Sequence, residues 1–203
     1  LLKLVYVDDV VDAFILAAKS SFAGLGFGQV TPEYSITVGE LAAQITSFRD
    51  SRKTLLTERV GAGLTRCLYS TYLSYLPPEK FSYEVPTFSD ARGTFVEIIK
   101  TPDCGQFSFF TAPPGSTRGG HYHHTKSEKF LVAKGEALFR FRNLISNESV
   151  EISVSGSNPI IVESIPGWVH DISNVGNSEL IVFLWANEVF NRLIPDTIAG
   201  AIS

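Results

Sequence analysis

Every histidine of the chain falls in one of two short segments. His121, His123 and His124 stand in Arg118-Gly-Gly-His-Tyr-His-His-Thr-Lys126, and His170 stands in Pro166-Gly-Trp-Val-His170. His121 and His123 are two apart, so on a strand they project from the same face, and His124 points to the other. Glu128 follows after a turn of about four residues. The spacing predicts that the next strand returns antiparallel beside the first and brings the Glu128 carboxylate to the same point. His170 must arrive from a distant strand and close the set. Three imidazoles and one carboxylate suit zinc, iron, manganese or nickel. One carboxylate among neutral rings leaves a divalent ion with net positive charge, so it remains a good Lewis acid. Unrelated surface histidines would have no reason to share this same-face spacing.

These residues need strands to position them, and the pattern supplies strands after about Phe81. Phe95, Phe107, Phe109, Phe130, Leu138, Phe139, Ile160–Val162 and Leu180–Leu184 are strand-rich in type. Asp-Ala-Arg-Gly, Pro-Pro-Gly, Ala-Lys-Gly, Ser-Gly-Ser and Val-Gly-Asn mark turns between them. Many short strands with regular turns predict a double-sheet jelly roll or barrel. Before Pro77-Pro78 the pattern is helical. Asp8 or Asp9 is placed to cap a helix bearing Val10, Val11, Phe14, Ile15 and Ala18. Thr37-Val-Gly-Glu40 reads as a capping box for a second helix through Leu41, Ile45 and Phe48. A third is expected from about Leu64 to Leu76, ended by the proline pair.

Composition narrows the partners. The 203 residues are 44% hydrophobic and 19% charged, with net charge −4, an ordinary globular balance. Lys and Arg are scattered, so no basic stripe awaits a nucleic acid. No apolar run is long enough to span a bilayer, and no signal peptide opens the chain. Cys67 and Cys104 fit no metal spacing, which favours a reducing, cytoplasmic setting. The chain has no methionine and opens directly on a strand pattern, as expected of a fragment that starts inside a domain.

The segment Gly115–Gly135 resembles the first cupin motif in full: Gly, five residues, His, one, His, four, Glu, six, Gly. The end of the second motif is matched by Gly167-x-x-His170-x-x-x-Asn174, with Pro-x-Gly shortened to Pro166-Gly167 and Ile160 in place of the leading glycine. That departure concerns a turn and not the ligand. Asp90-Ala-Arg92-Gly93-Thr-Phe95-Val-Glu97 and Arg118-Gly-Gly-His121 are similar to stretches of sugar-nucleotide 3,5-epimerases, which lack the metal motif and carry Gln at the position of His123. A fuller resemblance is to the bifunctional capsular polysaccharide enzymes of the CapF type. It rests on Leu68–Leu76, Arg118–Lys126, Glu128-Lys-Phe130 and Pro195-Asp196-Thr197, and covers essentially the whole chain. Val5–Val11 looks like a late strand–helix element of nucleotide-sugar reductases.

The resemblance implies a mostly β fold: a C-terminal cupin at 81–203, preceded at 1–80 by an α-rich remnant of a short-chain reductase domain of α/β Rossmann type. It implies a UDP-linked 4-keto-6-deoxy-N-acetylhexosamine substrate, inverted at C3 by the cupin, on the way to UDP-N-acetyl-L-fucosamine for capsule or O-antigen. Reduction at C4 with NADP(H) belongs to the full-length protein, because this chain has neither a Gly-rich dinucleotide loop nor a Tyr-x-x-x-Lys pair. The implied metal is zinc foremost, held by His121, His123, Glu128 and His170, and a homodimer is expected. For the C3 chemistry Arg118 is a candidate for the substrate oxyanion, or else an ion-pair partner of Asp90 or Glu97. Lys126 and Tyr122 are candidates for proton transfer. An iron-dependent cupin oxygenase and a non-catalytic sugar-binding cupin are the competing readings.

Overall fold

The computed structural model describes residues 1–20 and 26–202. Two units emerge: Leu1–Arg52 with Glu58–Ser82, and Lys53–Thr57 with Tyr83–Ser203. In the first, β1 (Leu2–Leu4) pairs antiparallel with β2 (Tyr34–Ile36). Three helices accompany them: α1 (Val7–Lys19), α2 (Val38–Thr54) and α3 (Gly63–Ser74). The capping box forms as the sequence predicts. Thr37 Oγ1 accepts from the Glu40 amide at 3.2 Å, and Glu40 Oε2 accepts from the Thr37 amide at 2.9 Å. The expected cap at Asp8 or Asp9 does not form. Helix α1 begins earlier, with Tyr6 as N-cap, and both aspartates lie inside its first turn. There they still favour the helix, by facing its positive end. Phe48 is buried in this unit against the rings of Tyr69 and Tyr72.

The second unit is a pair of antiparallel sheets. Its strands are β3 (Thr87–Asp90), β4 (Gly93–Lys100), β5 (Gln106–Ala112), β6 (Thr117–Tyr122), β7 (Glu128–Lys134) and β8 (Glu136–Asn143). They continue with β9 (Ser149–Ser155), β10 (Ile161–Glu163), β11 (Trp168–Asn174), β12 (Leu180–Ala186) and β13 (Ile198–Ala199). One sheet has the order β10-β7-β12-β5-β4-β3, and the other β13-β6-β11-β8-β9. This is the jelly-roll arrangement expected from the strand-and-turn pattern. Alternation decides what lies between the sheets. On β5 the even-numbered residues Gln106, Ser108, Phe110 and Ala112 are buried. Phe110 and Ala112 join a core built on Phe130, Val132, Phe139, Phe141, Leu180 and Val182.

One expectation about connectivity fails. Strand β7 does not return beside β6. It crosses to the facing sheet, where it pairs with β12 and β10. The partner of β6 is β11, with His121 opposite His170 and Gly119 opposite Asp171. The step from His170 to Asp171 thus spans two residues of β6, and Gly120 is the extra one. This is a β-bulge, and its two glycines take positive φ, +100° at Gly119 and +74° at Gly120. A Cβ on Gly119 would stand 2.9 Å from both the Asp171 Cα and the His170 carbonyl oxygen. Gly119→Ala therefore combines left-handed strain with a backbone clash. It should cost about 1–3 kcal/mol in urea unfolding, more than Gly120→Ala, whose nearest contact would be 3.6 Å away.

Candidate metal centre and its cavity

The bulge sets His121 directly across from His170, and the short step beyond β6 adds His123 from the same side. Glu128 enters from the facing sheet, at the start of β7. Four ligand atoms, one each from His121, His123, Glu128 and His170, lie within 4.8 Å of one another. The imidazole centroids are 5.0 Å (His121–His123), 4.8 Å (His121–His170) and 5.2 Å (His123–His170) apart. His123, Glu128 and His170 are buried, and His121 is partly exposed. Phe130 and Phe141 stand behind His170, each with its ring centroid 6.1 Å from the imidazole.

The hydrogen bonds orient these rings toward a common point. His123 Nδ1 donates to the backbone carbonyl of Asp196, which can only accept. In the neutral ring this leaves the Nε2 lone pair facing Glu128 Oε2, 3.1 Å away. His170 Nε2 is 3.4 Å from the same oxygen, yet neither nitrogen of that buried ring has a hydrogen-bond partner. Burial alone would raise the Glu128 carboxyl, but His123, His170 and Lys126 hold it well below the usual carboxylate range. Burial, with His170 beside it, depresses His121 to about 4. Orphaned ring nitrogens and a carboxylate aimed at one another are what a divalent cation would satisfy, and the donor set of three N and one O fits zinc, manganese, iron or nickel.

The cluster opens into a cavity of about 750 Å³ between the sheets. Two of the three proposed chemical residues line it. Lys126 is buried, with Nζ 2.8 Å from Glu128 Oε1 and under the ring of Phe190. Arg118 lies 5.1 Å from the Phe110 ring centroid, and its buried Nη1 has no hydrogen-bond partner. The alternatives considered for Arg118 are taken by other groups: Asp90 is forked by Arg92, and Glu97 pairs with Lys100 at 2.7 Å. Burial and the charge of Arg92 lower the Arg118 pKa. Tyr122 is not brought to the cavity. Lying between two same-face ligands, it turns to the opposite face and packs on His124, ring centroids 5.6 Å apart.

Residues 88–198, more than half of the chain, match the family described as Polysaccharide biosynthesis C-terminal domain. The chain belongs to this family. It is 58% identical over 201 residues to the UDP-2-acetamido-2,6-beta-L-arabino-hexul-4-ose reductase of Pseudomonas aeruginosa, an alignment that covers 99% of this chain and 54% of that protein. Crystal structures of the capsular polysaccharide assembling protein CapF from Staphylococcus aureus are also similar. One superposes with a TM-score of 0.90 at 39% identity, covering 98% of this chain and 55% of CapF. A second, of CapF with the inhibitor 3-isopropenyl-tropolone, gives 0.91 at 39% identity, covering 98% and 58%. The chain therefore spans about half the length of the relatives it matches.

Several polar residues of this polysaccharide-biosynthesis domain reach the cavity without having been singled out by the sequence reading. Gln106 and Ser108 are buried side by side on β5, with Gln106 Nε2 donating to Ser108 Oγ at 3.2 Å. The signal was available: they occupy core-facing positions of an otherwise aromatic strand. Thr197, read from the sequence only as part of the family-like Pro195-Asp196-Thr197, presents a buried Oγ1 without a partner. The depressed His121 has a consequence for stability. The unfolded ring takes up a proton near pH 6.5, while the folded one resists until about pH 4. The unfolded state thus binds more protons in this window, so stability of chelator-treated protein falls as pH drops from about 6.5 to about 4. Unfolding titrations should show a shallower fall in His121→Gln.

Proposed function

We propose that this domain inverts C3 of a UDP-linked 4-keto-6-deoxy-N-acetylhexosamine, with a divalent metal, zinc foremost, held by His121, His123, Glu128 and His170. In the longer protein to which such domains belong, NADPH-dependent reduction of the C4 ketone would follow, giving a precursor of UDP-N-acetyl-L-fucosamine. The observation that carries the reading is the joining of the four-ligand cluster to a cavity that holds Lys126 and Arg118. The name of the Pseudomonas relative, a reductase of a UDP-linked acetamido-hexul-4-ose, supports the substrate class. The tropolone on CapF supports the metal, because its two adjacent oxygens form a chelating pair. The reading of residues 1–80 as a remnant of a reductase domain is supported by helix α1, which leaves Phe14 and Leu16 exposed as a helix packed against further chain in a longer protein would.

The chemistry asks for three things. The C3 hydrogen must leave as a proton, its bonding electrons must pass to the C4 carbonyl oxygen, and a proton must return to the opposite face. When bound, the metal would supply positive charge near that oxygen. Arg118 can do the same from the cavity wall, since its free Nη1 is a buried donor awaiting an acceptor. Lys126 is the acid–base side chain we assign, fixed by Glu128 at the cavity floor. Two copies are expected to associate through the barrel, where β3 is an exposed edge strand; measurement of size in solution checks this.

The decisive experiment is hydrogen–deuterium exchange at C3 of the keto-sugar nucleotide in deuterated water. Exchange should vanish when metal is removed from folded protein and return on adding zinc. Retained exchange in the metal-free, folded protein would sink the metal-assisted reading. Lys126→Met should lower exchange by about 10²–10⁴-fold while metal content stays unchanged. Oxygen consumption without solvent exchange would point instead to an oxygenase, and substrate binding without exchange to a sugar-binding module.

A further inference from the structure

Pro195-Asp196-Thr197 has no part in the ligand set or in proton transfer, yet Asp196 gathers more backbone donors than any other carboxylate described near the centre. Its Oδ1 accepts from the His124 amide at 2.9 Å. Its Oδ2 accepts from the Thr125 amide at 2.8 Å, the Lys126 amide at 2.9 Å and the Thr125 hydroxyl at 3.2 Å. The three consecutive amides hold its carboxyl well below the ordinary range. The main chain of the same residue accepts from His123 Nδ1. Immediately afterward the chain is tied down again. In β13, Ile198 pairs with Tyr122 and Ala199 with His121, and the Gly200 amide donates to the Gly120 carbonyl at 2.9 Å.

This arrangement links two requirements of the centre. His123 must expose Nε2, so Nδ1 must keep its proton, and that is decided by an acceptor at Nδ1. Lys126 lies in the loop between β6 and β7, outside regular hydrogen bonding, and something must fix its backbone if Nζ is to reach Glu128. Resting on the metal reading above, we propose that Asp196 is a positioning residue: its carboxylate fixes the 124–126 loop that carries Lys126, and so pins its own carbonyl where it selects the His123 tautomer for metal binding.

The variants are Asp196→Asn, which keeps one acceptor but turns an NH₂ toward the loop amides, and Asp196→Ala, which removes both. In folded protein, amide exchange at residues 124–126 should rise at least about tenfold in both, with protection of the barrel core unchanged. Zinc affinity, read by competition with a chelator, should weaken by about 10–100-fold, more in Asp196→Ala. Nitrogen NMR of the His123 ring should show the Nδ1–H form giving way to a mixture. A lowered melting temperature with none of these changes would mean a merely structural role and would overturn the proposal. So would Asp196→Asn with wild-type zinc affinity and tautomer, even if Asp196→Ala failed to fold. Should the wild type bind no zinc at all, the metal reading fails, while loop exchange and ring tautomer still decide for or against Asp196.

Discussion

Glu128 stands at the start of β7 with its carboxylate closed off from water, and a buried anion persists only where positive or proton-donating groups meet it. Much of the barrel's centre is arranged around that requirement. One oxygen is met by Lys126 from the preceding loop. The other faces the ring nitrogens of His123 and His170 from the opposite side, where a bound cation would supply the charge. The carboxylate can be surrounded only if β6, β7 and β11 converge. The amide of Glu128 is itself held by Ser164 Oγ at 2.8 Å, which fixes where the strand begins.

The strand that delivers His170 is secured at two points beyond that residue. Arg140 on the neighbouring β8 forks onto Asp171, with Nε to Oδ1 at 2.9 Å and Nη2 to Oδ2 at 2.7 Å. A bidentate pair of this kind fixes direction as well as distance. At the far end of β11, Asn174 donates to the carbonyls of Ala112 and Ser178, both at 2.8 Å, and accepts from the Gly176 amide. The first of these bonds reaches the facing sheet. The asparagine of the second cupin-like motif is therefore a staple between layers, and His170 is held in a strand that cannot easily slide.

Residue type and local spacing revealed most of the centre. Period-two alternation brings His121 and His123 to one side, and only His170 was left to complete the set. The same alternation argues against Tyr122, which sits between two same-face ligands. The jelly roll could be read because turn residues and β-branched or aromatic runs recur at short intervals. Which strand pairs with which could not, because pairing depends on contacts between segments far apart in sequence. This is why the spacing predicts β7 beside β6 when it belongs to the other sheet. The bulge was hidden for a related reason: Gly119-Gly120 announces conformational freedom, but its position against Asp171 is known only once β11 is in place. At the front of the chain, Thr37 and Glu40 were legible as a capping box because the motif is local. The cap of α1 falls at Tyr6 and not at Asp8 or Asp9, because the helix begins soon after β1 ends.

The acceptor at His123 Nδ1 is a peptide carbonyl and not a side chain. Point substitution at position 196 changes the carboxylate but cannot delete that oxygen. Loss of the carboxylate loosens its hold, whereas a change in chain length between Ala186 and Ile198, or a shift of β13 along β6, would carry the oxygen away altogether. The tail of the barrel should therefore tolerate replacement of many side chains while being intolerant of insertion or deletion. A comparison of related chains scored by residue identity would overlook this constraint; one scored by gap placement would find it.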